Sequence, residues 1–267
     1  MATSAPPGWR PGLVALDVDG TVVDRNGVLP DAVAAAIATV VAAGVPVVLS
    51  TGRSWHGVRD LIDELDLPPG PAVCSNGAVI VTYPPERIVK AITFDPREVI
   101  DRVEEFAPGT LIAVEEIGRG YRLNGPFPEE DLTGEMIIED AAQLGSRPVT
   151  RIILRDPSAS SEQFITLAHH LGLSGVTYFV GWSAWLDIAP EGVNKATALT
   201  DVAADLGVRR EDVLAFGDGR NDMEMLSWAG RGVAIGDAPP EVQAVADAVT
   251  DRFADGGPVA ELRHWFG

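Results

Sequence analysis

The sequence predicts an α/β fold, in which a Rossmann-like parallel-sheet core is covered by helices on both faces and carries an inserted α+β cap domain. Short apolar segments alternate with helical ones in the first third of the chain and again after Pro190, as in sheets buried on both faces. The stretch between has proline-rich joints and hairpin patterns. We therefore assign residues 1–82 and 186–267 to the core and residues 83–185 to the cap. One continuous sheet with long decorations is the alternative.

The first third contains predicted strands followed by helices. Gly44 is placed to end the first helix, and the run Pro68-Pro69-Gly70-Pro71 interrupts the chain after the second. The strands are predicted at Leu13–Asp17, Val45–Ser50 and Ala72–Cys74, and the helices run from Pro30 to Ala43 and from Trp55 to Leu65.

The later elements follow from the same signals of apolar periodicity and glycine or proline breaks. In the predicted cap, strands are expected at Thr110–Val114, Gly120–Leu123, Arg151–Leu154, Val176–Val180 and Trp185–Ile188, and a helix at Ser161–Leu171. In the last third, helices at Lys195–Leu206, Asn221–Ala229, Pro239–Ala246 and Val259–Phe266 alternate with strands at Val213–Phe216 and Gly232–Ile235.

Composition excludes several classes of partner. The 267 residues carry a net charge of -19, which repels nucleic acid and anionic membranes. The one cysteine, Cys74, cannot form an intrachain disulfide, which favours a reducing, cytoplasmic location. Residues 1–12 lack the apolar region of a signal peptide, and no run of 18 apolar residues predicts a membrane span. We expect a monomer or homodimer that acts on a small molecule.

Two carboxylates, Asp17 and Asp19, follow the first predicted strand. A buried carboxylate is costly without a partner, so the pair indicates a cation, a shared proton or a nucleophile with a helper acid. An ordinary Asp-Gly turn is the plain alternative.

Other polar residues are predicted to reach the same edge of the sheet. Thr51-Gly52 and Asp218 follow two further strands, and parallel strands bring their carboxyl ends together. Lys195, one of two lysines in the chain, opens a helix, where a cation is disfavoured unless an anion lies nearby. Each feature alone is compatible with a turn or a solvated side chain.

Together these residues suit phosphoryl transfer through an acyl phosphate. Asp17, Asp218 and the backbone carbonyl of Asp19 offer the oxygen ligands that Mg²⁺ prefers. Thr51 can bind phosphate oxygens, and Lys195 can neutralise their charge. Asp19 can donate a proton to the leaving oxygen and later accept one from water.

The segments that carry these residues resemble the four motifs of the haloacid-dehalogenase-like (HAD) phosphatases, in the order of the Cof-type sugar-phosphatase branch. They are Asp17-Val18-Asp19-Gly20-Thr21, Ser50-Thr51-Gly52-Arg53, Lys195 and Phe216-Gly217-Asp218-Gly219-Arg220-Asn221-Asp222. Ala196 and Asp237 depart from residues common in that branch, and the Asp255-Gly256-Gly257 segment follows its pattern loosely.

The resemblance implies a role for each position. Asp17 would be the nucleophile and a Mg²⁺ ligand, and Asp19 the general acid/base with its carbonyl on the metal. Asp218 would be a further ligand, and Asp222 would act on the metal indirectly, by supporting its ligands or through water. Thr51, Gly52, Lys195 and Asn221 would hold the phosphoryl group.

Substrate contacts are harder to predict from sequence. Arg53 follows the phosphate-binding turn, Asn76 lies near a third strand end, and Trp182 offers a ring that can stack on a sugar, although packing in the cap is an alternative for it. The function expected is thus a Mg²⁺-dependent phosphatase for a small phosphorylated metabolite, most simply a sugar phosphate. A phosphomutase of the phosphomannomutase type and a non-catalytic phospho-ligand binding protein remain alternatives.

Overall fold

The computed structural model describes residues 8–128, 131–171, 175–180 and 185–267. Trp182 lies outside these residues. The strands are β1 (Leu13–Leu16), β2 (Val47–Leu49), β3 (Gly70–Cys74), β4 (Val79–Tyr83), β5 (Arg87–Ala91), β6 (Leu111–Glu116), β7 (Gly120–Leu123), β8 (Glu135–Ile138), β9 (Ile152–Arg155), β10 (Val176–Val180), β11 (Trp185–Pro190), β12 (Val213–Gly217), β13 (Arg231–Ala234) and β14 (Ala248–Val249). The α-helices are α1 (Asp31–Ala42), α2 (Arg59–Glu64), α3 (Arg97–Phe106), α4 (Ala141–Leu144), α5 (Ser161–Leu171), α6 (Lys195–Asp205), α7 (Met223–Trp228), α8 (Pro240–Val245) and α9 (Val259–Phe266).

The core sheet has the strand order β14-β13-β12-β1-β2, and all neighbouring strands are parallel. Side chains alternate across β1, so that Val14 and Leu16 pack on one face while Leu13 and Ala15 pack on the other. Helices α1 and α9 cover the first face, and α6, α7 and α8 cover the second. The predicted parallel core with helices on both faces is confirmed.

The strand predicted at Ala72–Cys74 belongs mainly to a sheet other than the core sheet. It forms β3 of an antiparallel sheet with β4 and β5, and a single parallel bridge, between Ser50 and Val73, joins it to the core sheet. The chain reverses directly after β3 because Ser75 and Asn76 adopt positive φ angles of 52° and 53°. This reversal carries Asn76 to the edge where the core strands end.

A six-stranded cap sheet has the order β10-β11-β9-β6-β7-β8. Helices α3, α4 and α5 pack on one of its faces. The predicted limits of the cap, residues 83 and 185, fall at β4 and β11, and both strands continue across them. The division into 1–82, 83–185 and 186–267 therefore stays a prediction, while the six-stranded sheet itself comes from residues 111–190.

Alternation along the cap strands sorts their side chains between two faces. Ile152 and Leu154 of β9, like Leu186 and Ile188 of β11, pack under the helices. Ile153 faces the other way. By the period of two, so do Arg151 and Arg155, which lie two positions from Ile153, and Trp185 and Asp187, which flank Leu186. This second face of the cap sheet carries polar side chains on the side of the core sheet. Within the described residues, no helix combines the length and apolar character that a membrane crossing requires.

Candidate active site

Asp17 lies directly after β1 at the carboxyl edge of the core sheet and is 4% exposed. The Nζ atom of Lys195, the first residue of α6, lies 2.5 Å from Asp17 Oδ1 and 2.6 Å from Asp222 Oδ1. Asn194 caps the same helix by accepting a hydrogen bond from the Thr197 amide at 3.0 Å, which fixes where α6 begins. A buried lysine between two carboxylates thus joins the first and last of the predicted patches.

Asp218 follows β12, next to β1 in the sheet, and packs against Gly20. Gly20 has a φ angle of +82°, and a Cβ atom at this position would clash with the Asp218 carboxylate. The position therefore needs glycine for two reasons, the backbone conformation and the close approach of the acid.

Burial and mutual repulsion dominate the electrostatics of the site. Burial raises the pKa of Asp17 to about 7, with the charge of Asp222 adding to the shift and Lys195 opposing it. Burial, followed by the charge of Asp17, raises the pKa of Asp218 to about 9. Burial alone would lower the pKa of Lys195, but Asp17 and Asp222 outweigh it and raise that pKa. One ammonium is not enough to neutralise three carboxylates.

This arrangement fits a divalent cation. One carboxylate oxygen from each of Asp17, Asp218 and Asp222 lies within 4.8 Å of the other two. An all-oxygen donor set with excess negative charge suits Mg²⁺, which commonly uses one or two carboxylates and retains water ligands. Asp17 and Asp218 are the residues available for this role.

Asp222 has a different place from that expected for a direct ligand. Its Oδ1 atom accepts from Lys195, and its Oδ2 atom accepts from the amides of Asp218 and Gly219 at 3.0 and 2.9 Å. Both oxygens are thus used by the chain itself. Asp222 orients Lys195 and shapes the loop that presents Asp218, and a role on the metal stays a prediction.

The predicted phosphate-binding turn is built from two loops that pair with each other. The Thr51 carbonyl accepts from the Asn76 amide at 3.0 Å, and the Arg53 carbonyl accepts from the Ser75 amide at 2.8 Å. The side chain of Asn76 in turn accepts from the Asn221 amide group at 2.9 Å. Asn76 thus contacts both the turn and Asn221, and its predicted contact with substrate stays a prediction.

Arg53, whose predicted contact with substrate stays a prediction, binds the predicted acid/base. Its Nε and Nη2 atoms lie 2.9 and 2.5 Å from the two carboxylate oxygens of Asp19, and its Nη1 atom donates to the Gly57 carbonyl at 3.0 Å. This bidentate pair fixes the orientation of the Asp19 carboxylate. Sequence spacing could not reveal this contact, because it joins residues on two different loops.

A cavity of about 690 Å³ connects this edge to the cap sheet. The core contributes Asp17, Asp19, Gly52, Arg53, Asp218 and Asn221, and the cap side contributes Tyr121, Asp131, Arg151, Phe179, Trp185 and Asp187. The cavity is large enough for a small phosphate ester with its leaving group on the cap side.

The cap wall contains residues that sequence reasoning did not assign to the site. Arg151, 3% exposed, ion-pairs with Glu115 and Asp187, and it donates hydrogen bonds to the Tyr121 hydroxyl and the Gly52 carbonyl. Glu115 of β6 is buried as well. The sequence did contain a signal for Glu115 and Arg151. Apolar residues at every second position of β6 and β9 face the helices, which leaves these two side chains on the opposite face of the sheet.

Among the described residues of the cap, Arg147, Arg151 and Arg155 do not gather into a second anion site. Arg147 pairs with Glu116, Arg151 with Glu115 and Asp187, and Arg155 with Asp131. Each therefore lies beside an acid. A mutase, which must hold a bisphosphate, gains no support from these pairs.

Comparison with known proteins places this geometry in a family. The chain is 27% identical over 253 residues, 95% of each chain, to the 5-amino-6-(5-phospho-D-ribitylamino)uracil phosphatase YcsE of Bacillus subtilis (strain 168). It is 27% identical to the pyridoxal phosphate phosphatase YbhA of Escherichia coli (strain K12), over 91% of this chain and 96% of that one. The solved structure of BT1666 from Bacteroides thetaiotaomicron shares the fold, with a TM-score of 0.80, 24% identity and coverage of 99% of both chains.

A family model described as haloacid dehalogenase-like hydrolase matches residues 14–262, which include Asp17, Thr51, Lys195 and Asp218. The match spans both the core sheet and the cap sheet. It confirms the resemblance drawn from the four motifs. The chain belongs to the haloacid dehalogenase-like hydrolase family.

Proposed function

We propose that the protein is a Mg²⁺-dependent phosphatase that hydrolyses a small phosphorylated metabolite, a sugar phosphate in the simplest case, through an aspartyl-phosphate on Asp17. The observation that carries the proposal is the position of Asp17, buried against Lys195 and Asp218 at one end of the cavity. The phosphatase names of YcsE and YbhA support the reaction type, and both names specify small phosphate esters.

Each residue then has a definite task. Asp17 attacks phosphorus with the oxygen that does not bind Lys195, and the bond to the leaving oxygen breaks. Thr51 and the amides of its turn bind the phosphoryl oxygens, while Lys195 neutralises part of their charge. Asp19, held by Arg53, donates a proton to the leaving oxygen and takes one from the water that hydrolyses the acyl phosphate. Mg²⁺ held by Asp17 and Asp218 supplies the remaining positive charge.

The test is release of inorganic phosphate from an aryl phosphate ester in the presence of Mg²⁺. We expect Asp17→Asn to lower kcat by roughly a thousandfold or more, because the nucleophile is lost. Asp201→Asn is the matched control, since Asp201 pairs with Lys90 on the exposed surface. Full activity of Asp17→Asn, or of the wild type in excess chelator, would contradict the proposal.

A hexose 1-phosphate separates the phosphatase from the mutase alternative. The phosphatase releases inorganic phosphate, whereas a mutase yields the isomeric hexose phosphate without it. A binding protein without activity would hydrolyse no member of a broad phosphate-ester panel.

The cytoplasmic location stays a prediction, supported by the single free and buried thiol of Cys74.

A further inference from the structure

Arg151 reaches from the cap sheet into the predicted phosphate-binding turn. It directly precedes β9, yet its guanidinium Nη1 donates a hydrogen bond to the backbone carbonyl of Gly52, 99 residues away in sequence. Its other terminal nitrogen, Nη2, donates to the Tyr121 hydroxyl. Arg151 is nearly fully buried, and one of its hydrogen bonds thus goes to a peptide group of the core.

The peptide group between Gly52 and Arg53 is held at both ends. Arg151 binds its carbonyl, and its N–H donates to Thr51 Oγ1 at 3.0 Å. Because the peptide is planar, the orientation of the carbonyl fixes the orientation of the N–H. The N–H in turn occupies one lone pair of the Thr51 hydroxyl. The hydroxyl proton must then point away from this N–H. Thr51 is 1% exposed and lies next in sequence to Gly52, which lines the cavity.

We propose that Arg151 is a positioning residue, which fixes the Gly52–Arg53 peptide from the cap and thereby aims the Thr51 hydroxyl at the phosphoryl group. The role rests on the proposed function only in naming the phosphoryl group as the ligand. It differs from a direct contact with the leaving group, because Arg151 acts through the backbone of another segment.

Surrounding acids prevent Arg151 from serving as a general anion receptor. Its Nε atom lies 3.5 Å from Glu115 Oε2, and its Nη1 atom lies 3.4 Å from Asp187 Oδ1. Glu115 is itself fixed by the Ser75 hydroxyl at 2.6 Å and the Thr150 hydroxyl at 3.2 Å. The network therefore starts at the core turn after β3, crosses the cap sheet and ends at the core turn after β2.

This continuity links the closed position of the cap to the geometry of the phosphate site. If the cap moves away, the Gly52 carbonyl loses its charged donor, and the peptide group that orients Thr51 is released. Phosphate should therefore bind more tightly when the cap is seated as it is in this structure.

The first test measures two quantities that do not require turnover. Calorimetry gives the affinity for inorganic phosphate in Mg²⁺, and hydrogen exchange gives the protection of the Arg53 amide. We expect Arg151→Met to weaken phosphate binding by about tenfold, as expected for loss of one hydrogen bond from a charged donor, and to speed exchange at Arg53. Arg147→Met should change neither, since Arg147 is a half-exposed cap arginine paired with Glu116.

Arg151→Lys keeps a cation between Glu115 and Asp187 and guards against misfolding of the methionine variant. One ammonium cannot reproduce the two-nitrogen contact with Gly52 and Tyr121, so its phosphate affinity should fall between those of the wild type and Arg151→Met. An affinity and an exchange rate at Arg53 equal to those of the wild type in both Arg151 variants would overturn the proposal.

The decisive test is the coupling between Arg151 and Thr51. If Arg151 acts through Thr51, then Arg151→Met should have little further effect on phosphate affinity once Thr51 is replaced by valine. Additive losses would overturn the proposal, and so would a raised KM for the ester with unchanged phosphate affinity, which indicates direct contact with the leaving group. A wild type that binds phosphate but hydrolyses no ester would contradict the proposed function and leave this test intact.

Discussion

Asp17 is held in an environment that opposes its own ionisation. It shares one ammonium, that of Lys195, with Asp222 and lies near Asp218. Such a carboxylate is stabilised poorly in the free protein and strongly once a cation arrives. The residues proposed to perform the chemistry therefore destabilise the metal-free fold.

Replacing Asp17 by asparagine should expose this cost. Burial raises the pKa of Asp17 from 3.8 to about 7, so the stability due to this group falls between those two pH values and the full cost is present at pH 8. The metal-free Asp17→Asn protein should have a free energy of unfolding at pH 8 on the order of a few kcal/mol above that of the wild type. Urea unfolding in chelator measures this. Asp222→Asn is the contrasting variant and should be less stable, because Asp222 also accepts hydrogen bonds from the Asp218 and Gly219 amides.

Gly20 should tolerate no side chain. Gly20→Ala forces a Cβ atom against the Asp218 carboxylate in a backbone conformation that L-residues avoid. We expect a loss of roughly 1–3 kcal/mol of stability together with weaker Mg²⁺ binding. Gly44→Ala, also at a positive φ angle of 73° but with no atom within 4 Å, is the control for the conformational strain alone. Equal Mg²⁺ affinity in the two variants would show that the contact with Asp218 is irrelevant.

At the scale of elements, the cap strands separate structural from functional residues by their two faces. Arg122 of β7 is 1% exposed and lies on the helix side, where it binds Glu116, Glu139 and the Gln143 carbonyl. Its neighbour Tyr121 faces the cavity. Of these two adjacent buried polar residues, Arg122 thus holds the cap together and Tyr121 lines the cavity.

Arg122→Met tests this separation. The change leaves Glu139 without its buried partner and Glu116 with Arg147, which should cost roughly 1–3 kcal/mol of stability. Because Arg122 does not line the cavity, kcat at a temperature where the variant is folded should stay near that of the wild type. Thermal unfolding and steady-state kinetics give the two quantities. A large fall in kcat without loss of stability would place Arg122 in the catalytic machinery instead.

The predictable part of the molecule was the part governed by local pattern. Asp17, Thr51 and Asp218 follow core strands whose apolar runs are visible in sequence, so their convergence followed from parallel topology. The contact between Arg151 and the Gly52 carbonyl could not be predicted in this way, because it joins two sheets across 99 residues. The roles of Arg53 and Asp222 depend on which partner lies nearest in three dimensions, and spacing alone carries no such information.

At the scale of the whole molecule, the acidic site links stability to both pH and metal. Asp17 and Asp218 have ordinary pKa values of 3.8, and their folded values are about 7 and about 9. The unfolded chain therefore releases these protons at lower pH than the folded chain does. Through these two groups, metal-free stability falls as pH rises from about 4 to about 9.

Saturating Mg²⁺ should remove much of this dependence. At the proposed site it would bind the ionised carboxylates, so it should stabilise the folded protein most above neutral pH and release protons as it binds. Melting temperatures across the pH range, with chelator and with Mg²⁺, measure the effect. A Mg²⁺-induced rise in Tm that is the same at pH 5 and pH 8 would contradict the proposed ligands.

Trapping the covalent intermediate tests the central claim most directly. The wild type is mixed with a phosphate ester and Mg²⁺, quenched rapidly and treated with borohydride, which reduces an acyl phosphate to the alcohol, and the peptides are analysed by mass spectrometry. The account predicts conversion of Asp17 alone to homoserine, dependent on ester and Mg²⁺ and lost in chelator. Rapid turnover with Asp17 unmodified, or modification of Asp19 or Asp218 in its place, would contradict it.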